Sequence, residues 1–255
     1  MPHCFSMIRT FLLAAALITY AVPASAWFSH LSNAVGESPF SETFRQDYEA
    51  ANAAAKSSHS LKPIEDLLLR YQRLEEQAEL HVTLGYGYGQ WTGFVRQEKS
   101  IEHFGRALKY DLPPILVPEI FTLRGNAHEQ LKQLDLALAD YIRGLFFCLR
   151  YDLPPFTPDL MGLDAFDPKL ASIPRDDPNY AELTLDFRLY DRQIRFEAKL
   201  LMTRYFLIDA LKLATAALSL STNDLEKRVR AISKDEKRIH LILAFAASEN
   251  IRPWK

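Results

Sequence analysis

The stretch Phe121-Thr-Leu-Arg-Gly-Asn-Ala-His-Glu-Gln-Leu-Lys-Gln-Leu-Asp-Leu-Ala-Leu-Ala-Asp-Tyr-Ile-Arg-Gly-Leu145 decides the fold. Its small residues are Gly125, Ala137 and Gly144, with the aromatic Tyr141 between the last two and Leu138 and Leu145 each following a small position. Helices whose axes approach closely need residues without bulk where they touch, and an aromatic ring fills the gap beside them. On either side stand two near-identical phrases, Lys109-Tyr-Asp-Leu-Pro-Pro114 and Arg150-Tyr-Asp-Leu-Pro-Pro155. Proline lacks an N–H and forces the preceding residue extended, so each phrase ends a helical run. One stop used twice at a fixed interval marks a repeat. No stretch alternates apolar and polar residues for a strand, apart from Gly85–Gly89, and the fold class expected is all-α.

The quoted stretch resembles a tetratricopeptide repeat, a helical hairpin that stacks on its neighbours into a right-handed α-solenoid. That family places a small residue in its first helix and another twelve residues on in its second, then an aromatic and a further small residue. Gly125-Asn126-Ala127 and Ala137-Leu-Ala-Asp-Tyr141 match it. Ser100-Ile101, Phe104 and Ala107-Leu108 repeat the second-helix pattern, and Leu84-Gly85 with Tyr88 supplies a first helix. Ala198, Ala210-Leu211, Ala214 and Ala217-Leu218 give a third match without its aromatic. Gly85, Gly89 and Gly93 fall four apart and read as a stripe admitting a neighbouring helix, since neither phosphate-loop nor dinucleotide spacing is met.

Outside the repeats, Ser41 reads as the N-cap of a helix in which Phe44, Tyr48, Ala51 and Ala55 share a face. Pro63 opens another, with Ile64, Leu67, Leu68, Tyr71 and Leu74 on one stripe and a helical pattern continuing towards Leu84. After Pro155 an irregular Pro/Asp-rich insertion runs to Pro178, followed by a seam from Leu183 to Tyr205. Two short helices are expected at the end, one after Ser221-Thr-Asn-Asp224 and one after the capping box Ser233-Lys-Asp-Glu236. The organisation expected is therefore a signal peptide at 1–26, a lead-in and helix at 27–62, helical repeats at 63–224 with the insertion at 151–178, and C-terminal capping helices at 225–255.

The signal-peptide reading rests on Arg9, the apolar run Phe11–Val22, Pro23 and the small triplet Ala24-Ser25-Ala26. The run is about 12–13 residues where a bilayer needs about 20, which disfavours an uncleaved anchor. Export to a bacterial periplasm or secretion is expected, with no transmembrane segment after cleavage. Sequencing exported material should find Trp27 at the N-terminus; an intact Met1 in the membrane fraction would show otherwise. Cys4 precedes the apolar run and leaves with it, so Cys148 stands alone and no intramolecular disulfide is possible. With 30 Lys and Arg against 32 Asp and Glu, the charge balance argues against nucleic acid as a partner.

No metal-ligand spacing, cofactor motif or catalytic signature is present, so no cofactor is expected and the chain reads as a binding protein rather than an enzyme. The basic cluster Lys227, Arg228, Arg230, Lys234, Lys237 and Arg238 is diluted by acids and reads as a solvated helix face. The resemblance implies a protein or peptide partner held in a concave groove lined by the first helix of each repeat. If Phe121, Gly125 and His128 pack, then Thr122, Asn126 and Glu129 turn towards that groove. The same offset gives Tyr86 in the first repeat and Lys199 in the third, with Arg195 one turn before. Some family members hold a terminal carboxylate with such an Asn-plus-cation set. Two alternatives stand beside this reading: a structural part of an envelope complex, and an enzyme with its site in the insertion.

Overall fold

Helix α1, Glu42–Ser58, starts where Ser41 Oγ accepts from the Phe44 N–H at 3.1 Å, satisfying one of the donors that a helix start leaves open. It buries Phe44, Tyr48, Ala51 and Ala55, the stripe expected from their spacing. The computed structural model describes residues 40–90, 95–113, 116–151, 200 and 203–248. Among these residues there are nine helical segments and no strand, so the fold is all-α. None of the described helices is long and apolar enough to cross a membrane.

Helix α2, Lys62–Arg70, packs Ile64 and Leu67 against α1. The expected continuation of its stripe through Leu74 does not occur. Tyr71 turns extended, with its ring edge-on to Phe44 at 5.0 Å and its hydroxyl donating to Asp47 at 2.7 Å. Packing that ring on Phe44 and satisfying its hydroxyl favours leaving the helix, and the Gln77 amide takes over the freed carbonyls of Leu68 and Tyr71. Helix α3, Leu74–Gln90, then begins on a Leu74 that is 68% exposed.

The described chain forms two compact units, one ending at Thr83 and the other beginning at Leu84, with α3 contributing residues to both. The second unit holds α4, Gln97–Ala107; α5, Leu116–Gln130; α6, Leu134–Cys148; α7, residues 203–217; α8, Thr222–Ile232; and α9, Glu236–Ala247. Close approaches through small residues recur here. A Cβ on Gly85 would lie 2.5 Å from the Phe104 ring of α4, and one on Gly125 would lie 2.4 Å from the Tyr141 ring of α6. Ser100 Oγ fills the notch beside Gly89 and donates to the Gly85 carbonyl at 2.8 Å. Gly93, the third member of the glycine stripe, lies outside the described residues.

Helix α6 is the spine of the C-terminal core. Ala137, Leu138, Tyr141, Ile142, Leu145 and Phe146 cluster with residues of α7, α8 and α9, and Gly144 admits Leu207 of α7. Residues 203–217 form one helix, while Ala198 and the stretch just before it, where the first helix of the third hairpin is expected, lie outside the described residues. Nothing between 203 and 217 is a Gly or Pro, so the helix has no reason to stop. Two helix starts differ from expectation. Helix α8 starts at Thr222, with Ser221 Oγ accepting from Asp224 N–H, rather than after Asp224. Helix α9 is capped by Asp235, which accepts from Arg238 N–H at 3.1 Å, and not by Ser233, whose Oγ instead accepts from Asp235 N–H. The expected lead-in at 27–39 and the insertion at 151–178 lie outside the described residues, Tyr151 excepted.

Candidate functional site

The residues expected to meet a partner centre on α5. Thr122, Asn126 and Glu129 follow one another at helical spacing, but their neighbours differ. Thr122 is buried, and its hydroxyl donates to the Pro118 carbonyl at 2.8 Å, which ties it into its own helix. Asn126 and Glu129, both half-buried, meet at the hydroxyl of Tyr141, which stands 2.9 Å from Asn126 Oδ1 and 3.0 Å from Glu129 Oε2. A hydroxyl has one proton. It is shared between the Asn126 side-chain carbonyl and the Glu129 carboxylate, both of which accept from the phenol O–H. Burial above all, and then the Glu129 charge, hold the Tyr141 phenol well above its ordinary range, so it stays a donor.

Tyr86 sits further along the same unit. Its ring meets Phe104 edge-on at 5.6 Å, and its hydroxyl donates to Glu119 Oε1 of α5 at 2.6 Å. Two glutamates of α5 are thus each held by a tyrosine hydroxyl, one from α3 and one from α6. Glu129 has no Lys or Arg within ion-pair distance among the described residues. Arg195 and Lys199, the expected cations, lie outside the described residues.

A second cluster on the α5–α6 hairpin escaped the sequence reading. Asp140 of α6 accepts from Arg124 Nε at 2.7 Å and Nη2 at 2.6 Å, and from Arg143 Nη1 at 3.0 Å. His128 Nε2 stands 4.0 Å from the same carboxylate, while its Nδ1 pairs with Gln133 Oε1 at 2.7 Å. The signal was present but not exploited: Arg124 and Asp140 have the same separation as Gly125 and Tyr141, the pair that defines the hairpin register.

The other residues singled out from the sequence are structural in their settings. Cys148 is buried, and burial pushes its thiol up to about 12 against the pull of Arg204, so it stays protonated. The basic cluster is largely ion-paired on a solvated face, with Arg230 joined to Glu226 and Glu236, Arg238 to Asp235, Lys227 to Asp224 and Arg228 to Asp135. Among the described residues no group of three His, Cys, Asp or Glu side chains could hold a metal ion. The chain matches no protein-family model, no curated protein and no solved structure.

Proposed function

We propose that this chain is an exported helical-repeat scaffold of the tetratricopeptide kind, and that the Asn126–Glu129 face of α5 receives a peptide or protein partner. The repeat reading draws support from the paired contacts Gly85–Phe104 and Gly125–Tyr141, small residue on one helix against aromatic on the next. The observation that carries the binding reading is the pair of half-buried acceptors held by Tyr141. With Tyr141 as their shared donor, the remaining lone pairs of the Asn126 carbonyl and the Glu129 carboxylate are what the helix offers to a partner. A carboxylate without a cation is best matched by a donor from outside: an ammonium, a guanidinium or a row of peptide N–H groups. The second reading keeps the terminal-carboxylate clamp, with Arg195 and Lys199 supplying the charge.

Random peptides displayed on beads, with free and blocked termini, separate the two readings. The donor reading expects enrichment of Lys, Arg or free amino termini, and a loss of about 10–100-fold in affinity for Glu129→Gln. Enrichment of free C-termini that vanishes on amidation, with loss in Asn126→Ala and Lys199→Ala, supports the clamp instead. No enrichment of any peptide class would count against the groove altogether.

A further inference from the structure

Glu79 lies on α3 in the N-terminal unit, 1% exposed, and neither of its carboxyl oxygens makes a hydrogen bond of good geometry, the Tyr48 and Thr83 hydroxyls being occupied with each other. The groups that face it are the Tyr48 hydroxyl from α1 and the Thr83 hydroxyl one turn on along α3, themselves 2.6 Å apart. The Asn52 side chain of α1 also reaches the Tyr48 hydroxyl. The nearby charges are engaged elsewhere. Glu76, one turn back on α3, takes the Ser41 hydroxyl at 3.5 Å and lies 4.0 Å from Arg73. Asp47 of α1 holds Arg70 of α2 at 3.1 Å and the Tyr71 hydroxyl. Among the described residues no cation compensates Glu79, and an isolated carboxylate in such a place keeps its proton rather than bear the desolvation.

We propose that Glu79 couples the docking of α1 on the N-terminal part of α3 to pH, its carboxyl neutral while α1 is docked and ionised once α1 lifts away. Burial holds the docked carboxyl up at about 7, outweighing the Tyr48 and Thr83 hydroxyls that pull it down, while an opened Glu79 returns to about 4.5. Below 4.5 both states carry the proton and docking is at full strength. Between the two values the docked state holds one proton more, so docking weakens by about tenfold per pH unit as pH rises. Above pH 8 the loss is complete, at roughly 300-fold.

Hydrogen exchange of the α1 amides in the full-length chain, corrected for intrinsic rates, reads this directly. Opening of α1 should increase by roughly 100-fold between pH 5 and pH 8, and Glu79→Gln, equal in shape but never charged, should give a flat profile. A flat wild-type profile, or an unchanged slope in Glu79→Gln, overturns the proposal. If Glu79→Gln does not fold, carbon-13 titration of the wild-type carboxyl decides: a midpoint near 7 supports it, and one near 4.5 overturns it.

Discussion

Gly125→Ala lowers the stability of the protein by about 1–3 kcal/mol and Gly125→Leu by more, whereas Gly105→Ala leaves it unchanged or raises it by up to about 1 kcal/mol. Both glycines lie inside helices, so alanine gains about the same helix propensity at each, roughly 1 kcal/mol. Space separates them. At Gly105 a new methyl meets only the Arg124 guanidinium at 3.5 Å, an ordinary contact. At Gly125 it would stand 2.4 Å from the Tyr141 ring. That ring has no accessible surface and its hydroxyl is tied to Asn126 and Glu129, so it cannot swing aside. Overpacking against a fixed ring outweighs the propensity gain. Ala137→Leu, on the facing helix at a site with no exposure, should cost a similar 1–3 kcal/mol. Urea midpoints of the four variants check the series, and equal midpoints for Gly105→Ala and Gly125→Ala would refute the close approach.

Asp140→Ala is expected to cost about 2–4 kcal/mol. The carboxylate side chain is 2% exposed and accepts from two guanidinium groups, of which Arg124 is 17% exposed and Arg143 45%. Removing it leaves the Arg124 charge largely buried without its two hydrogen bonds, the situation in which breaking an ion pair costs most. The partial exposure of Arg124 and the greater exposure of Arg143 let water screen part of the loss, which keeps the figure below the extreme for a dry pair. Pairing Asp140→Leu with Arg124→Met should recover most of the stability, because apolar side chains of similar reach leave no buried charge stranded and Arg143, 45% exposed, is left to water. A double-mutant cycle from thermal or urea unfolding measures this, and strictly additive losses would show that the two side chains do not interact.

How far the sequence reading reached depended on the kind of signal. The face of α1 was legible because Phe44, Tyr48, Ala51 and Ala55 repeat at helical spacing and Ser41 is a strong cap. The α5–α6 hairpin was legible because its axes can approach only through small residues, and Gly125, Ala137 and Gly144 are easily seen. Helix ends were harder. His59, Lys132 and Ser219 all take the left-handed conformation that ends a helix, at φ 49°, 63° and 51°, without the glycine that usually announces it. At Lys132 the stop is enforced by the Gln133 N–H reaching back to the His128 carbonyl and by α6 packing against α5. Tyr71 leaves its helix for a ring and an acid that sit more than twenty residues earlier in the chain, which no local pattern records.

The candidate site divides along the same line. From residue types and spacing alone came the all-α class, the register of the hairpin, and the grouping of Thr122, Asn126 and Glu129 on one side of α5. These follow from the 3.6-residue period and from side-chain volume, both local properties of the chain. Only the tertiary structure decided that Thr122 is consumed within its helix, that Asn126 and Glu129 converge on Tyr141, that Tyr86 serves Glu119, and that Glu79 is sealed without a hydrogen bond of good geometry. A polar side chain is satisfied by whichever group reaches it across the packed interface. That choice is made by residues distant in sequence, within hydrogen-bond geometries a few tenths of an ångström wide.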